Sequence, residues 1–527
     1  MVRASAFELL KGLLQPAVLR PSRLQRLLPT RGSLHELQLR ALAQVIFINN
    51  PASGLVLLLA FLIQSPATAL LALLGSAAAH GTARAFGLEP GLHREGIYGF
   101  NGALVGCAVA HFAQLDPPLA GLAWSGLVLL GGALSSLLME GLGRNLNRRT
   151  GLPPLTLSFC LITWVLLALG ALAAESALAL AAPAAPAAVA GVAQALALGL
   201  PRSFGQVFLL SNLGSGLLVV LAVALASPLA AGLGLLGALV AMAIAVLSGA
   251  PLAAVAAGLW GYNGVLVAIA LGGIFYAPTA GSLAIGLGGA ALASLLQLGW
   301  ISSPLQAWPS LTLAFILATW AFQLLIRRAL PALIPVSLHA ILTPEEHRQR
   351  FVLARTVLAD FRRNLSQSLS GQRRALLAGQ VPALMRQKIT VLFERLDQNG
   401  NGALSAAELL AGLNLDPKAP GDRGSLAIQL TEVLQAMDID GDGRLDIEEF
   451  AELMLRLQRL QLGEGRLLSY LMPVDTNGND RLDPAELRRL LTSVGEAPLS
   501  PAEEQQVFGQ SLRGLSWRQF VDRLLLT

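Results

Sequence analysis

From Leu39 to Ile326 the chain alternates long runs of Ala, Leu, Val and Gly with brief clusters of amides, hydroxyls, Pro and Gly. Several of these runs fall short of the ~20 apolar residues that a straight membrane-spanning helix needs, so they predict short or re-entrant helices. The polar clusters recur in register. QVIFINNPASG from Gln44 returns as QVFLLSNLGSG from Gln206, and YGFNGALVG from Tyr98 returns as WGYNGVLVA from Trp260, both 162 positions on. LPPLTLSF from Leu152 returns as WPSLTLAF from Trp308, with Thr156 matching Thr312 after a slightly shorter gap. A duplication of this kind in an apolar chain predicts a membrane domain of two repeats with a site between them. After Arg328 the pattern becomes amphipathic. Phe351, Val357, Leu358, Phe361, Leu365 and Leu369 recur at helical intervals with Arg355, Arg362 and Arg363 interleaved. Such a basic helix lies on a bilayer, sits in another domain's groove, or simply connects.

Composition agrees with two regimes. Of 527 residues, 54% are hydrophobic and 13% charged, and the mean hydropathy of +0.61 excludes a single soluble domain. Between Gly151 and Ile326 the charged side chains are Glu175 and Arg202, whereas the tail is rich in both signs. The net charge of +5 comes without an aromatic-and-basic module, so nucleic acid is not an expected partner; juxtamembrane arginines beside anionic lipid account for it. Cys107 and Cys160 lie in apolar runs and read as small buried hydrophobes. Residues 1–37 carry six Lys and Arg and no apolar run long enough for a signal peptide, which predicts a cytoplasmic arm. Arg327 and Arg328 place the far end of the membrane domain on the same side by the positive-inside rule, so both termini are expected in the cytoplasm. The expected domains are this arm, repeat one over 38–180, repeat two over 181–330, a basic helical linker over 331–383 and a charge-rich tail domain over 384–527.

The scarcity of ionisable groups in the membrane part speaks against an ion or proton route. In repeat one only Glu140, His80 and Arg84 come near apolar cores, and Glu140 reads as paired near an interface. An uncharged, planar, polar solute moving downhill fits better, exchanging its water hydrogen bonds for protein oxygens between aromatic faces. Gln44 and Thr156 taken singly read as interhelical glue or as pore lining; their doubling in register favours lining. Asn101 and Asn263 each follow an aromatic residue before an apolar helix and read as caps or loop braces.

The motifs Gln-Val-x-Phe with Asn-Asn-Pro-x-Ser-Gly, Gly-x-Tyr-Gly-Phe-Asn, and Leu-Pro-x-x-Thr ending in Phe resemble those of the urea transporter family, over about Leu39 to Ile326. The departures are Ser158 and Ala314 in the third motif, where Pro is usual, Trp308 for Leu, and Ser211 and Leu213 in the second Asn-Asn-Pro. The resemblance implies an all-α fold of two inverted repeats, a narrow pore through each protomer of a homotrimer, and a ladder of oxygens framed by apolar slots. Carried over by motif, it places Gln44, Gln206, Thr156 and Thr312 at the ladder. It makes Phe47, Phe100 and Leu104, with Leu209, Tyr262 and Leu266, the slot walls.

The tail carries loops of its own chemistry. DQNGNGALSAAE and DIDGDGRLDIEE fit the twelve-residue EF-hand pattern, with oxygen side chains at alternate positions, Gly at the sixth and Glu at the twelfth for bidentate binding of calcium. The ligands expected in the first are Asp397, Asn399, Asn401, the carbonyl of Ala403, and Glu408. Those of the second are Asp438, Asp440, Asp442, the carbonyl of Arg444, and Glu449, and its extra carboxylates predict tighter binding. DTNGNDRLDPAE offers Asp475, Asn477, Asn479, the carbonyl of Arg481, and Glu486, with Asp480 where Gly is expected. Asp tolerates a left-handed backbone, so a third site is expected. Residues 508–520 look like a fourth hand that packs without binding.

The chain therefore reads as a multi-pass membrane protein, expected in the plasma membrane and specifically a bacterial inner membrane. The expected activity is passive urea transport, joined to a cytoplasmic EF-hand domain that either regulates it through calcium by gripping the 351–369 helix or takes calcium to a structural end alone, and no enzyme is expected. The rivals are a conduit for ammonia, water or a short amide, and a calcium-dependent binding protein with a membrane anchor.

Overall fold

The computed structural model describes residues 33–172, 178–181, 189–330, 333–337, 339–369, 383–412, 437–438, 441–455, 474–475, 477, 479–509 and 514–526. The chain is all-α but for short β contacts, and it divides into one compact unit ending at Arg348 and another running from Gln349. Most of the expected N-terminal arm and the centre of the 181–190 joint lie outside the described residues.

In the first unit α1 (Leu34–Gln44), α2 (Pro51–Gln64), α3 (Pro66–Ala85), α4 (Pro90–Arg94), α5 (Phe100–Phe112), α6 (Pro118–Thr150) and α7 (Leu157–Leu172) form one series. The second is α8 (Val192–Gln206), α9 (Leu213–Ala226), α10 (Pro228–Leu247), α11 (Leu252–Ala256), α12 (Tyr262–Ile269) with a π-helical turn at Ala270–Ile274, α13 (Ala280–Ile301) and α14 (Leu313–Ala329). A shift of 162 carries the bounds of α3 and α4 onto those of α10 and α11. Among the described residues α6, α10 and α13 are both long and apolar enough to cross a membrane by themselves; α2, α5, α7, α9 and α12 are shorter apolar helices.

Short helices leave backbone ends that must be satisfied within the protein. The polar clusters do this, twice over. Asn50 accepts from the amide of Ala52 at the start of α2, with Pro51 as the first helical residue. Asn212 caps α9 in the same way, and where Leu213 replaces the proline its side chain takes two amides, those of Gly214 and Ser215. Ser65 and Ser227 cap α3 and α10, each followed by Pro.

Packing repeats as well. A Cβ on Gly75 of α3 would stand 2.2 Å from the carbonyl oxygen of Gly102 of α5, and one on Gly237 of α10 2.3 Å from that of Gly264 of α12. Only glycine allows these close crossings. Across the two series α2 meets α9: Ser215 donates to the carbonyl of Ala60 at 2.8 Å and Phe61 packs on Phe208 with centroids 5.2 Å apart. The outward stripes Leu55, Leu59, Ile63 and Leu217, Leu221, Leu225 stay exposed, as a lipid-facing surface requires.

In the second unit the last turns of α15 (Pro344–Leu369), helices 383–396, 406–412, 484–493, 501–508 and 517–526 and a helical run at 447–455 enclose their own apolar core. Leu404 and Leu445 exchange backbone hydrogen bonds at 2.8 and 2.9 Å. β1 (Arg481–Leu482) pairs antiparallel with β2 (Leu515–Ser516).

Candidate functional site

Both breaks in each series are marked by backbone strain. Phe47 has φ 64°, Leu209 58°, Leu155 52° and Leu311 47°. Non-glycine residues adopt this left-handed region at a cost of order 1–3 kcal/mol and hold it where the surroundings over-determine it. These four are repeat equivalents. The first two are predicted slot walls, and the last two immediately precede Thr156 and Thr312.

The amides are held alike. Nε2 of Gln44 donates to the carbonyl of Glu95 at 3.0 Å, and Nε2 of Gln206 to that of Ala257 at 3.1 Å, again 162 residues on. With Nε2 committed to backbone, Oε1 of each glutamine is the atom with accepting capacity left. The hydroxyls of Thr156 and Thr312 lie 2.7 Å apart, one from each series, and Cys160 Sγ stands 3.3 Å from the second.

A cavity of about 40 Å³ brings Gln44, Phe47, Phe100 and Thr156 together. At about 10–15 Å³ per water this is room for roughly three. Phe275 and Phe315 complete its aromatic wall, each with its ring centroid 5.9 Å from that of Phe47 and set edge-on. Leu104 is fully buried one turn beyond Phe100 and does not line this cavity. Nor do Gln206, Leu209, Tyr262, Leu266 and Thr312. Tyr262 donates its hydroxyl to the carbonyl of Leu311, a bond that Phe100 at the equivalent place in repeat one has no hydroxyl to make. Asn263 braces by donating to Gln297 at 3.0 Å and accepting from the amide of Phe315 at 3.3 Å.

A larger space of about 230 Å³ adjoins, sharing Met139, Pro153, Pro154 and His339 with the first. Its polar lining includes Glu140, which accepts from Tyr98 at 2.6 Å and pairs with Arg144. Burial lowers the His339 imidazole from its ordinary 6.5 against the pull of Glu140, so the ring is neutral at neutral pH. Residues that sequence reasoning passed over are Phe275, Phe315, His339 and the repeat-equivalent arginines Arg40 and Arg202. Arg40 bonds Asn49 Oδ1 at 2.6 Å and Arg202 the carbonyl of Ala256 at 3.0 Å. Their spacing of 162 was the signal available for that pair.

The tail loops share one geometry. The amides of Gly402, Gly443 and Asp480, each sixth in its loop, donate at 2.8 Å to the first-position carboxylates of Asp397, Asp438 and Asp475. Their φ angles are 77°, 79° and 55°, so Asp480 takes the left-handed backbone that glycine takes in the other two. Asn401, Asp442 and Asn479 each accept from the amide two residues on, at 2.8–2.9 Å. Glu408, Glu449 and Glu486 are buried, each bonded to the amide three residues before it. The amide and hydroxyl of Ser405 hold the Glu408 carboxyl below its ordinary 4.5. It is therefore ionised, as a calcium ligand must be. Asp440 lies outside the described residues; the other expected ligands form oxygen-rich loops of the kind hard cations take.

Two matching series of short helices with amide and hydroxyl oxygens about a narrow apolar cavity define a multi-pass membrane transport protein, with a calcium-binding tail. The chain belongs to the urea transporter family, whose profile matches residues 35–327. That family is one of channel-type transporters. The profile of an EF-hand domain pair matches residues 386–455, and the tail binds calcium. In the EF-hand region the chain is similar to calcium-dependent protein kinase 22 of Oryza sativa subsp. japonica, 27% identical over 129 residues. The similarity covers 24% of this chain and 21% of the kinase.

Proposed function

We propose that the chain conducts urea passively through the membrane part, two inverted repeats that each supply half of a passage. The equivalent anchoring of Gln44 and Gln206 about the bonded Thr156–Thr312 pair carries this reading. Each glutamine keeps an acceptor free for a solute that brings amide donors, and the threonine hydroxyls both give and accept. Phe47, Phe100, Phe275 and Phe315 offer ring faces and edges to a flat molecule, and no charge is needed to balance one that has none. Leu104, Leu209, Tyr262 and Leu266 are assigned to the walls as packing behind or beyond this cavity. The family membership supports a homotrimer with one passage per protomer, and the arginines near both ends support cytoplasmic termini, in a bacterial inner membrane.

Stopped-flow shrinkage of vesicles holding the full chain, with urea, ammonia, water and short amides compared, tests the solute. Urea passing fastest is the expected result; equal rates for all would make the passage a general neutral conduit.

The tail's role follows from α15. Arg362 pairs with Glu503 and Phe361 meets Phe520 edge-on with centroids 6.0 Å apart, which supports the 351–369 helix as the target of hands three and four. Calcium binding at the loops, the third included, would then act on the chain that leads back to the membrane part. Urea flux with calcium and with chelator tests it, and identical rates would leave calcium a structural role alone.

A further inference from the structure

The two glutamines differ in one bond. Beyond the contact to Glu95 that Gln206 matches at Ala257, Nε2 of Gln44 donates at 2.9 Å to the carbonyl of Ala340, far along the chain after the last membrane helix. Among the described residues Gln206 has no counterpart of it.

Ala340 belongs to a strap whose described residues lie in no helix or strand. The strap starts where Pro335 bridges Tyr276 and the amide of Val336 donates at 2.8 Å to the carbonyl of Phe275, itself a wall of the inner cavity. It ends where Asn49 Nδ2 donates at 3.2 Å to the carbonyl of Ile341. In between, Ala340 is 4% exposed among apolar residues, and His339 borders both the inner cavity and the polar space outside it. The strap thus stands between the outer space and Gln44. Directly after it the chain enters α15, whose Glu345 accepts from the amide of Leu229 at 2.8 Å.

We propose that the strap carrying Ser337, His339, Ala340 and Ile341 is an autoinhibitory plug: the Ala340 carbonyl occupies the Gln44 amide at the mouth of the passage, and solute enters only when the strap withdraws. The assignment rests on the urea passage proposed above. A carbonyl is the group through which urea itself would accept from that amide, so the strap competes with solute by chemistry as well as by bulk. A pore wall built for permanence would be expected in both mouths of a duplicated frame; this one is an addition to repeat one.

The experiment uses the full chain in vesicles and reads two quantities, urea flux and the labelling rate of Ile97→Cys, a buried cavity residue, by a membrane-impermeant thiosulfonate. Cys107 and Cys160 are buried and give the background. Ala340→Asp puts a carboxylate where burial of a lone charge is disfavoured, so the strap is expelled, and both readings rise about tenfold or more. Asn49→Cys with Ile341→Cys is the converse: oxidation stops flux and labelling, and reductant restores both in the same folded sample. Labelling unchanged in both variants overturns the plug and makes the strap a fixed wall. Labelling that follows the strap while urea crosses in no variant upholds the plug and overturns the urea passage.

Discussion

Both units of this chain are built by doubling, but doubling serves them differently. In the membrane unit the two copies face one another and share a centre, the bonded hydroxyls of Thr156 and Thr312, so each copy supplies half of one feature. In the tail the copies stand side by side, joined by a short antiparallel contact at Leu404 and Leu445 or at β1 and β2, and each loop has its own first-position carboxylate accepting from its own sixth-position amide. The frame is what both retain: glycine crossings and Asn caps in one, left-handed sixth positions and buried glutamates in the other. The polar chemistry is what varies, as in the strap over Gln44, the hydroxyl of Tyr262 against Phe100, and Asp480 in place of glycine.

If the frame is shared, breaking it in either membrane copy has the same consequence. Gly75→Val and Gly237→Val each force a side chain against a carbonyl little more than 2 Å from the new Cβ. Overpacking of this kind costs about 3 kcal/mol or more, a large fraction of the roughly 5–15 kcal/mol that holds a domain folded. Thermal unfolding in detergent should show both variants displaced by similar amounts; a mild effect in one alone would mean the copies are not packed alike.

The shared centre makes a second, smaller prediction. Thr156→Val and Thr312→Val should each slow urea flux roughly tenfold, since a lost hydrogen bond of about 1–1.5 kcal/mol corresponds to that factor. Because the hydroxyls bond each other, the double variant should lose far less than the product of the two. Multiplicative losses in vesicle flux would mean that the pair does not act as a unit.

How much of this was legible before the structure differed between copies for physical reasons. The register of 162 and the oxygen pattern of the loops are local, and local rules read them. The walls are tertiary. Phe275 has Ala113 at its repeat equivalent, so the duplication that revealed Gln44 and Thr156 was silent about it. Leu104 follows Phe100 by four residues and shares its helix face by spacing, yet packs inward at full burial away from the cavity. Strain at Leu155 and Leu311 has no residue signature, since neither is glycine or asparagine. The strap joins positions almost 300 apart through backbone carbonyls, which no side-chain pattern records.

In the tail, Asp480→Gly asks whether the altered third loop is held back by its backbone. The left-handed conformation at φ 55° costs a non-glycine residue about 1 kcal/mol, less for Asp than for most. Removing it should tighten calcium binding at that loop by about threefold to fivefold. Calorimetric titration of the full chain reads it, and weaker binding would mean that the Asp480 side chain contributes something glycine does not.

A pH-dependent effect is expected at the helix that the hands hold. Burial raises the Glu503 carboxyl, but its bonds from the amide and hydroxyl of Ser500 and from Arg362 outweigh this and leave it below the ordinary 4.5. A carboxyl depressed in the folded state stabilises the fold above its unfolded value and stops doing so as pH falls through the folded one. Arg362 is 20% and Glu503 5% exposed, so the bond is largely shielded from solvent, and losing it by Arg362→Ala costs about 1–2 kcal/mol at neutral pH. Below 4.5 the penalty should shrink steadily as Glu503 protonates in both proteins and the charge that Arg362 was bonding disappears. The thermal transition of the tail, followed in the parent and Arg362→Ala chains from neutral pH down to acid, measures the difference. A gap between the two that stays constant with pH would place the contribution of Arg362 in its contacts with the carbonyls of Ala497 and Pro498, which do not titrate, and would separate the grip on α15 from any charge at Glu503.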